Sequence, residues 1–292
     1  MYDFGPVITA MITPFDEDMR LNVNEAVRIA EHLVETGTDT ILVAGTTGES
    51  PVLDTDEKIA LCRAISHAVA GRARVILGTG SNDTVSTMFL TAAAEDNGAD
   101  GVMLVTPYYN KPPQSGLRAH FEKACKTTKL PVMLYNVPSR TGVNLLPKTV
   151  NEISESVDNL WAVKEASGDL EQATELASLR SVQVYSGDDS KTLPMLAVGA
   201  KGVVSVASHV VGDKIRQMIE AFFSRDTGEA CRLHQELLPI FKGLFITTNP
   251  IPVKTVMSWM GFHVGGFRMP LYSMEPGEAD FLRALLERFE IL

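Results

Sequence analysis

Cysteine is scarce in this chain: Cys62, Cys125 and Cys231 stand far apart, with no Cys-x-x-Cys pair among them. That spacing gives no support to zinc, iron–sulfur or dithiol redox centres. It reads instead as reduced, buried thiols of a cytoplasmic protein. Long apolar runs are missing too, none approaching the roughly 18 residues that a membrane span requires. There is no block of Lys or Arg, and the formal net charge is −10. Without grouped cations a phosphate backbone has little to bind, so neither nucleic acid nor a membrane is an expected partner. The opening stretch MYDFGPVITA lacks the basic region and cleavage site of a secretory signal. The sequon Asn82-Asp83-Thr84 is accordingly read as accidental. The histidines (His32, His67, His120, His209, His234, His263) are scattered and include no His-Glu-x-x-His. Surface or structural roles are expected of them, and no metal site.

What is present is regular. Short β-branched apolar runs (Val7–Ile12, Thr40–Val43, Val75–Leu77, Val102–Val105, Val132–Tyr135, Leu160–Val163, Val182–Tyr185 and Val203–Val206) alternate with amphipathic stretches. Runs of nearly continuous apolarity mark strands buried on both faces, as in a parallel sheet. The stretches between them predict helices over Asn24–Glu35, Asp56–Val69, Thr84–Asp96, Gly116–Thr127, Pro147–Ile153, Leu170–Leu179, Leu193–Val198 and Asp213–Phe223. Asp54 or Thr55 can open the second, and Gly37 and Gly98 can stop the first and third. About eight βα repeats in 292 residues predict a (β/α)₈ TIM barrel, whose usual length is about 250 residues. An open doubly wound sheet is the alternative. Its glycine fingerprint is absent after the first strand, where Thr13-Pro14-Phe15-Asp16 follows. After Arg225 the alternation stops, and Glu229–Phe245, Pro252–Met260 and Glu278–Phe289 look helical. The expected organisation is a catalytic barrel over 1–224 and a C-terminal helical extension over 225–292, packed on it.

Reactive groups in such a barrel sit where strands run into their loops. There the sequence places Gly45-Thr46-Thr47-Gly48-Glu49-Ser50, Thr106-Pro107-Tyr108-Tyr109-Asn110, Tyr135-Asn136-Val137-Pro138-Ser139-Arg140-Thr141-Gly142, Lys164-Glu165-Ala166 and Ser186-Gly187-Asp188-Asp189. Lys164 ends an apolar strand, where desolvation opposes its charge and frees the neutral amine that attacks a carbonyl. The competing reading is a lysine ion-paired with a carboxylate such as Glu165, and position alone leaves both open. Tyr135 ends the neighbouring strand and can relay protons, or be a core tyrosine. The hydroxyls of Thr46 and Thr47 and their backbone N–H groups can hold a carboxylate. Arg140, in a polar loop over the mouth, can clamp another. Asp188-Asp189 lacks a third metal ligand and is read as capping its loop.

Together these motifs resemble the dihydrodipicolinate synthases, members of the pyruvate-dependent class I aldolase superfamily, over about Val7 to Leu271. The Gly-Thr-Thr-Gly-Glu-Ser and Lys-Glu-Ala segments are shared across that superfamily, whereas Arg140-Thr141-Gly142 is more specific to the synthase branch. The resemblance implies a lyase that needs no cofactor, with pyruvate and L-aspartate 4-semialdehyde as substrates. Its product would feed lysine and diaminopimelate biosynthesis in the cytoplasm. It further implies that Lys164 forms a Schiff base with pyruvate, and that Thr46 and Thr47 bind the pyruvate carboxylate. Tyr135, Thr46 and Tyr109 would relay protons, Tyr109 reaching in from a neighbouring subunit of a homotetramer built from tight dimers. Arg140 would hold the second substrate, and Gly187 and Val204 would line the pocket.

The nearest rival is a sister lyase acting on N-acetylneuraminate or a 2-keto-3-deoxy sugar acid; Arg140 argues against it, since such a polyol places no second carboxylate there. A non-catalytic barrel is expected to have lost part of this set, and the set is complete. Inhibited family members bind lysine near segments matching Ser50–Lys58, Asn82–Ser86 and Tyr108. Here Pro51, Thr55, Lys58 and Ser86 depart from the inhibited pattern, and little or no inhibition by lysine is expected.

Overall fold

In the computed structural model, which describes residues 2–292, eight parallel strands hydrogen-bond in chain order and close into a barrel. They are β1 (Val7–Ala10), β2 (Thr40–Val43), β3 (Arg74–Gly78), β4 (Gly101–Val105), β5 (Val132–Asn136), β6 (Leu160–Glu165), β7 (Gln183–Ser186) and β8 (Gly202–Ser205). The first strand pairs with both β2 and β8, so the sheet has no open edge. The doubly wound alternative is thereby excluded. Met1, the first residue of the expected barrel, lies outside the described residues.

The helices are α1 (Val23–Glu35), α2 (Thr55–Ala68), α3 (Thr84–Ala93), α4 (Gln114–Cys125), α5 (Pro138–Thr141), α6 (Pro147–Ser154), α7 (Leu170–Ser178), α8 (Thr192–Ala197) and α9 (Ser208–Phe223). A C-terminal helical part follows: α10 (Thr227–Gly243), α11 (Ile251–Trp259) and α12 (Pro276–Arg288). Asp54 opens α2 through a reciprocal capping box with Glu57, satisfying two backbone donors at once. Gly98, left-handed at φ 84, ends the 3₁₀ turn after α3, as its position suggests.

Two elements differ most from the sequence reading. Helix α9 opens with an extra turn from Ser208, set off by non-helical backbone at Val211 (φ −135, ψ 37); beyond that kink the run matches the expected Asp213–Phe223. Arg140 sits not in an irregular loop but on α5, a single turn with Pro138 at its start and left-handed Gly142 at its end. Four residues are too few for periodicity to reveal.

Apolar side chains form two buried layers. One lies between barrel and helices and includes Ile29, Leu61, Leu104, Phe121, Ile215 and Phe241. The other fills the barrel, with Ile8, Leu42, Ile76, Met103, Met133 and Tyr185 among its members. Aromatics pack near its N-terminal end, where Phe4 meets Trp161 edge-on at 4.5 Å and Tyr185 stacks on Trp161 at 5.4 Å. With the interior filled there, room for a ligand is left at the C-terminal mouth. No helix among the described residues is long and apolar enough to cross a membrane. Cys62 and Cys125 are buried, and burial pushes their thiols up to about 11 and about 12. Cys231, expected to be buried, is instead exposed on α10.

Candidate active site

Strand register brings the two central residues together. Tyr135 and Lys164 are direct partners across the β5–β6 pair, and the Lys164 Nζ lies 4.2 Å from the centre of the Tyr135 ring. Both are buried, at 5% exposure each. Lys164 is one residue deeper in the strand than the apolar pattern indicated, since β6 continues through Glu165. Its neighbour does not pair with it. Glu165 points to the helix side, where Asn136, Gln172 and the backbone N–H of Ser167 donate to its carboxylate. The ion-paired reading of Lys164 therefore fails: adjacent strand residues face opposite sides of the sheet.

Lys164 makes no ion pair with any described residue. Burial depresses its ammonium to about 7, with the charge on Arg140 acting in the same direction and that on Asp189 opposing it. Desolvation thus favours the neutral amine, the form a nucleophile needs. Asp189 is itself pinned. It accepts from Ser205 Oγ and from the backbone N–H groups of Val206 and Ala207, so it caps the turn after β8 rather than its own loop, which Asp188 caps by accepting from the Ser190 N–H. Burial pushes the Tyr135 phenol up, opposed by Arg140 and by the Thr46 side chain. The phenol thus stays protonated at neutral pH and can give a proton.

Lys164, Tyr135, Thr46, Thr47, Arg140 and Gly187 line one cavity of about 420 Å³. The Thr46-Thr47 turn is tightly built: Gly48 and Ser50 N–H groups both donate to the Gly45 carbonyl, at 3.1 and 3.2 Å. The N–H groups of Thr46 and Thr47 find no acceptor among the described residues, leaving donors for a carboxylate. Gly187 provides room beside the amine, because a Cβ there would lie 2.6 Å from Ala166 Cβ and 3.2 Å from Lys164 Cε. Val204 lies lower, wholly inside the barrel, and Val206 lines the cavity.

Tyr109 is not brought to this cavity within one chain. Its side chain is 89% exposed, on a residue with left-handed backbone (φ 74). Tyr108 beside it lines a second, adjoining cavity of about 380 Å³ with Ser50, Pro51, Lys58 and Arg140. Among the described residues no Asp or Glu lines that space.

Sequence reasoning missed the contribution of the C-terminal part. Phe241, Phe245 and Asn249 line the same cavity as Lys164. The Asn249 carbonyl accepts from Arg140 Nη2 at 3.2 Å. Glu49, one residue beyond the Thr46–Gly48 core of its motif, is fully buried against Lys254 of α11 at 2.7 Å. Only the Asn249-Pro250 break between two helical patterns hinted that the chain re-enters the mouth there.

Fold and site define a (β/α)₈ barrel with a buried, readily deprotonated lysine at its mouth, flanked by a phenol and neutral carboxylate donors. Over residues 3–289 the chain matches the model of the dihydrodipicolinate synthetase family, and it belongs to that family. It is 52% identical to the 4-hydroxy-tetrahydrodipicolinate synthase of Desulforamulus reducens over 99% of each chain. A crystal structure of the Cyanidioschyzon merolae synthase with lysine bound superposes with a TM-score of 0.97, at 43% identity over 99% of each chain. A synthase characterised as a monomeric variant superposes at 0.96, with 38% identity over 99% of this chain and 98% of the other.

Proposed function

We propose that this chain is a 4-hydroxy-tetrahydrodipicolinate synthase, joining pyruvate to L-aspartate 4-semialdehyde through an imine on Lys164. The observation that carries this reading is the unpaired, buried amine of Lys164, held to about 7 beside the Tyr135 ring. The neutral amine attacks the pyruvate ketone, and loss of water leaves a protonated imine. That cation draws electrons from the adjacent methyl, which loses a proton to give an enamine. The enamine carbon attacks the aldehyde; the second substrate's own amine then closes the ring and displaces Lys164. Tyr135 and Thr46 move protons between these states. Thr46 and Thr47 hold the pyruvate carboxylate, and Arg140 that of the aldehyde. Gly187 leaves room beside the amine, while Val204 packs below the cavity rather than lining it.

Arg140 favours the synthase over a sugar-acid lyase, because a cation at the mouth suits a second carboxylate and not a polyol. Product analysis tests this. Incubation with pyruvate and aspartate 4-semialdehyde is expected to give the cyclic dicarboxylate, whereas turnover only with N-acetylneuraminate or a 2-keto-3-deoxy sugar acid would contradict it.

The exposed Tyr109 fits a hydroxyl supplied to the site of a second copy, within a cytoplasmic homotetramer of tight dimers. Mixing inactive Tyr109→Phe and Lys164→Ala proteins under subunit exchange then restores activity, since one site of the mixed dimer is intact. No recovery in verified mixed dimers would rule out that exchange.

A further inference from the structure

The stretch 249–254 of the C-terminal part touches the Thr46–Glu49 turn at both flanks. On one side Asn249 Nδ2 donates to Thr47 Oγ1 at 3.0 Å. On the other, Lys254 Nζ binds Glu49 Oε1 at 2.7 Å with both side chains fully buried, and the Lys254 ammonium lies 4.2 Å over the Phe15 ring. The turn needs such support: Ala44, two residues before it, and Glu49, at its end, are left-handed non-glycine residues with φ 52 and 55. Conformations of that kind persist only when their surroundings enforce them. Asn249 does more than hold Thr47. Its backbone carbonyl accepts from Arg140 Nη2 at 3.2 Å, so one residue bridges the donors of both substrate carboxylates. It does so at a cost, because its Oδ1 is buried without a hydrogen-bond donor.

We infer that Asn249 is a positioning residue that couples the pyruvate-carboxylate site at Thr47 to the second-substrate site at Arg140. It acts through the Thr47 hydrogen bond, which fixes the carbonyl on which the Arg140 guanidinium rests. The assignment of the two subsites rests on the proposed function; the bridge itself is geometric. Asn249→Leu, nearly isosteric, removes the amide donor together with the unpaired oxygen.

The test measures KM for pyruvate and for the aldehyde, kcat and Tm, in Asn249→Leu, Thr47→Val and the double variant. Asn249→Leu is expected to raise both KM values about five- to tenfold, the effect of losing one aligned hydrogen bond, without lowering Tm. In the Thr47→Val background it adds nothing to the aldehyde KM, since the bond through which it acts is already gone. A lowered Tm with both KM values within about twofold of wild type would mark Asn249 as merely structural and overturn the inference. Fully additive effects in the double variant would overturn it as well. Borohydride trapping of pyruvate on wild-type Lys164 separates the two levels: failure there defeats the proposed chemistry, whereas success with unchanged KM values in Asn249→Leu defeats only the coupling.

Discussion

Lys164 and Lys254 are both buried, both depressed by desolvation, and both 4.2 Å from the centre of an aromatic ring. They differ in what else surrounds them. Lys254 has Glu49 at 2.7 Å and is shut off from solvent, with its ammonium held at about 8. Lys164 has no ion-pair partner among the described residues, opens on a cavity, and falls to about 7. Burial alone therefore does not mark a reactive lysine. In the proposed mechanism the reactive lysine is the one that combines burial with an adjoining cavity and no paired carboxylate.

The largest effect expected from breaking this contrast is on activity. Lys164→Ala is predicted to lower turnover by on the order of 10³-fold or more, because the covalent route is lost. Lys164→Met, in contrast, is expected to melt no lower than wild type, since it removes an unpaired buried amine. Calorimetry on that variant checks the second half; a large drop in Tm would show Lys164 to be structural. Lys254→Met is predicted to behave in the opposite way. It strands the Glu49 carboxylate in the interior and is expected to cost about 3–5 kcal/mol of stability, measured by denaturant unfolding. Unchanged stability would mean that the pair does not hold the turn.

Only part of this contrast is legible in the sequence. Barrel strands and most helices were legible because two-sided burial imposes continuous apolar runs, and Lys164 stood out as a charge ending one of them. Tyr135 beside it was legible too, because a barrel makes consecutive strands neighbours. The role of Glu49 was not. Its partner lies 205 residues away in sequence, and no local pattern encodes which of two carboxylates, Glu49 or Glu165, faces which lysine. Asn249 was invisible for the same reason: a side chain between two helical patterns carries no period. Arg140 was found by its charge, but the single turn that aims it was too short to predict.

Smaller changes sharpen the picture around the mouth. Arg140→Ala is expected to raise the KM for aspartate 4-semialdehyde roughly ten- to hundredfold, the value of a charge-assisted contact. The fraction of Lys164 trapped at saturating pyruvate should barely move. Equal losses in both half-reactions would assign Arg140 a structural role. The smallest effect concerns lysine itself. The adjoining cavity carries Lys58 and Arg140 with no carboxylate to receive an ammonium. Millimolar lysine is therefore predicted to change the initial rate by less than about twofold, because like charges oppose its entry. Micromolar binding in calorimetry, matched by inhibition, would contradict this.

The claim on which the rest depends is that Lys164 is the unpaired amine poised for imine formation, and borohydride trapping across pH tests it most directly. A lysine whose folded-state value is depressed is protonated below that value and neutral above it. Initial trapping of pyruvate should therefore climb through about pH 7, where burial places this amine, and then level off. The same depression means that the unfolded chain binds more protons than the folded one between about 7 and 10.5. Stability gains up to about 1.4 kcal/mol per pH unit from this group across that window, and Lys164→Met should flatten the slope. Peptide mapping of the reduced adduct is expected to find one pyruvate-derived group, on Lys164, with half-maximal labelling rate near pH 7. Label on Lys254 or another lysine, or a Lys164 profile rising only near pH 10, would contradict the account.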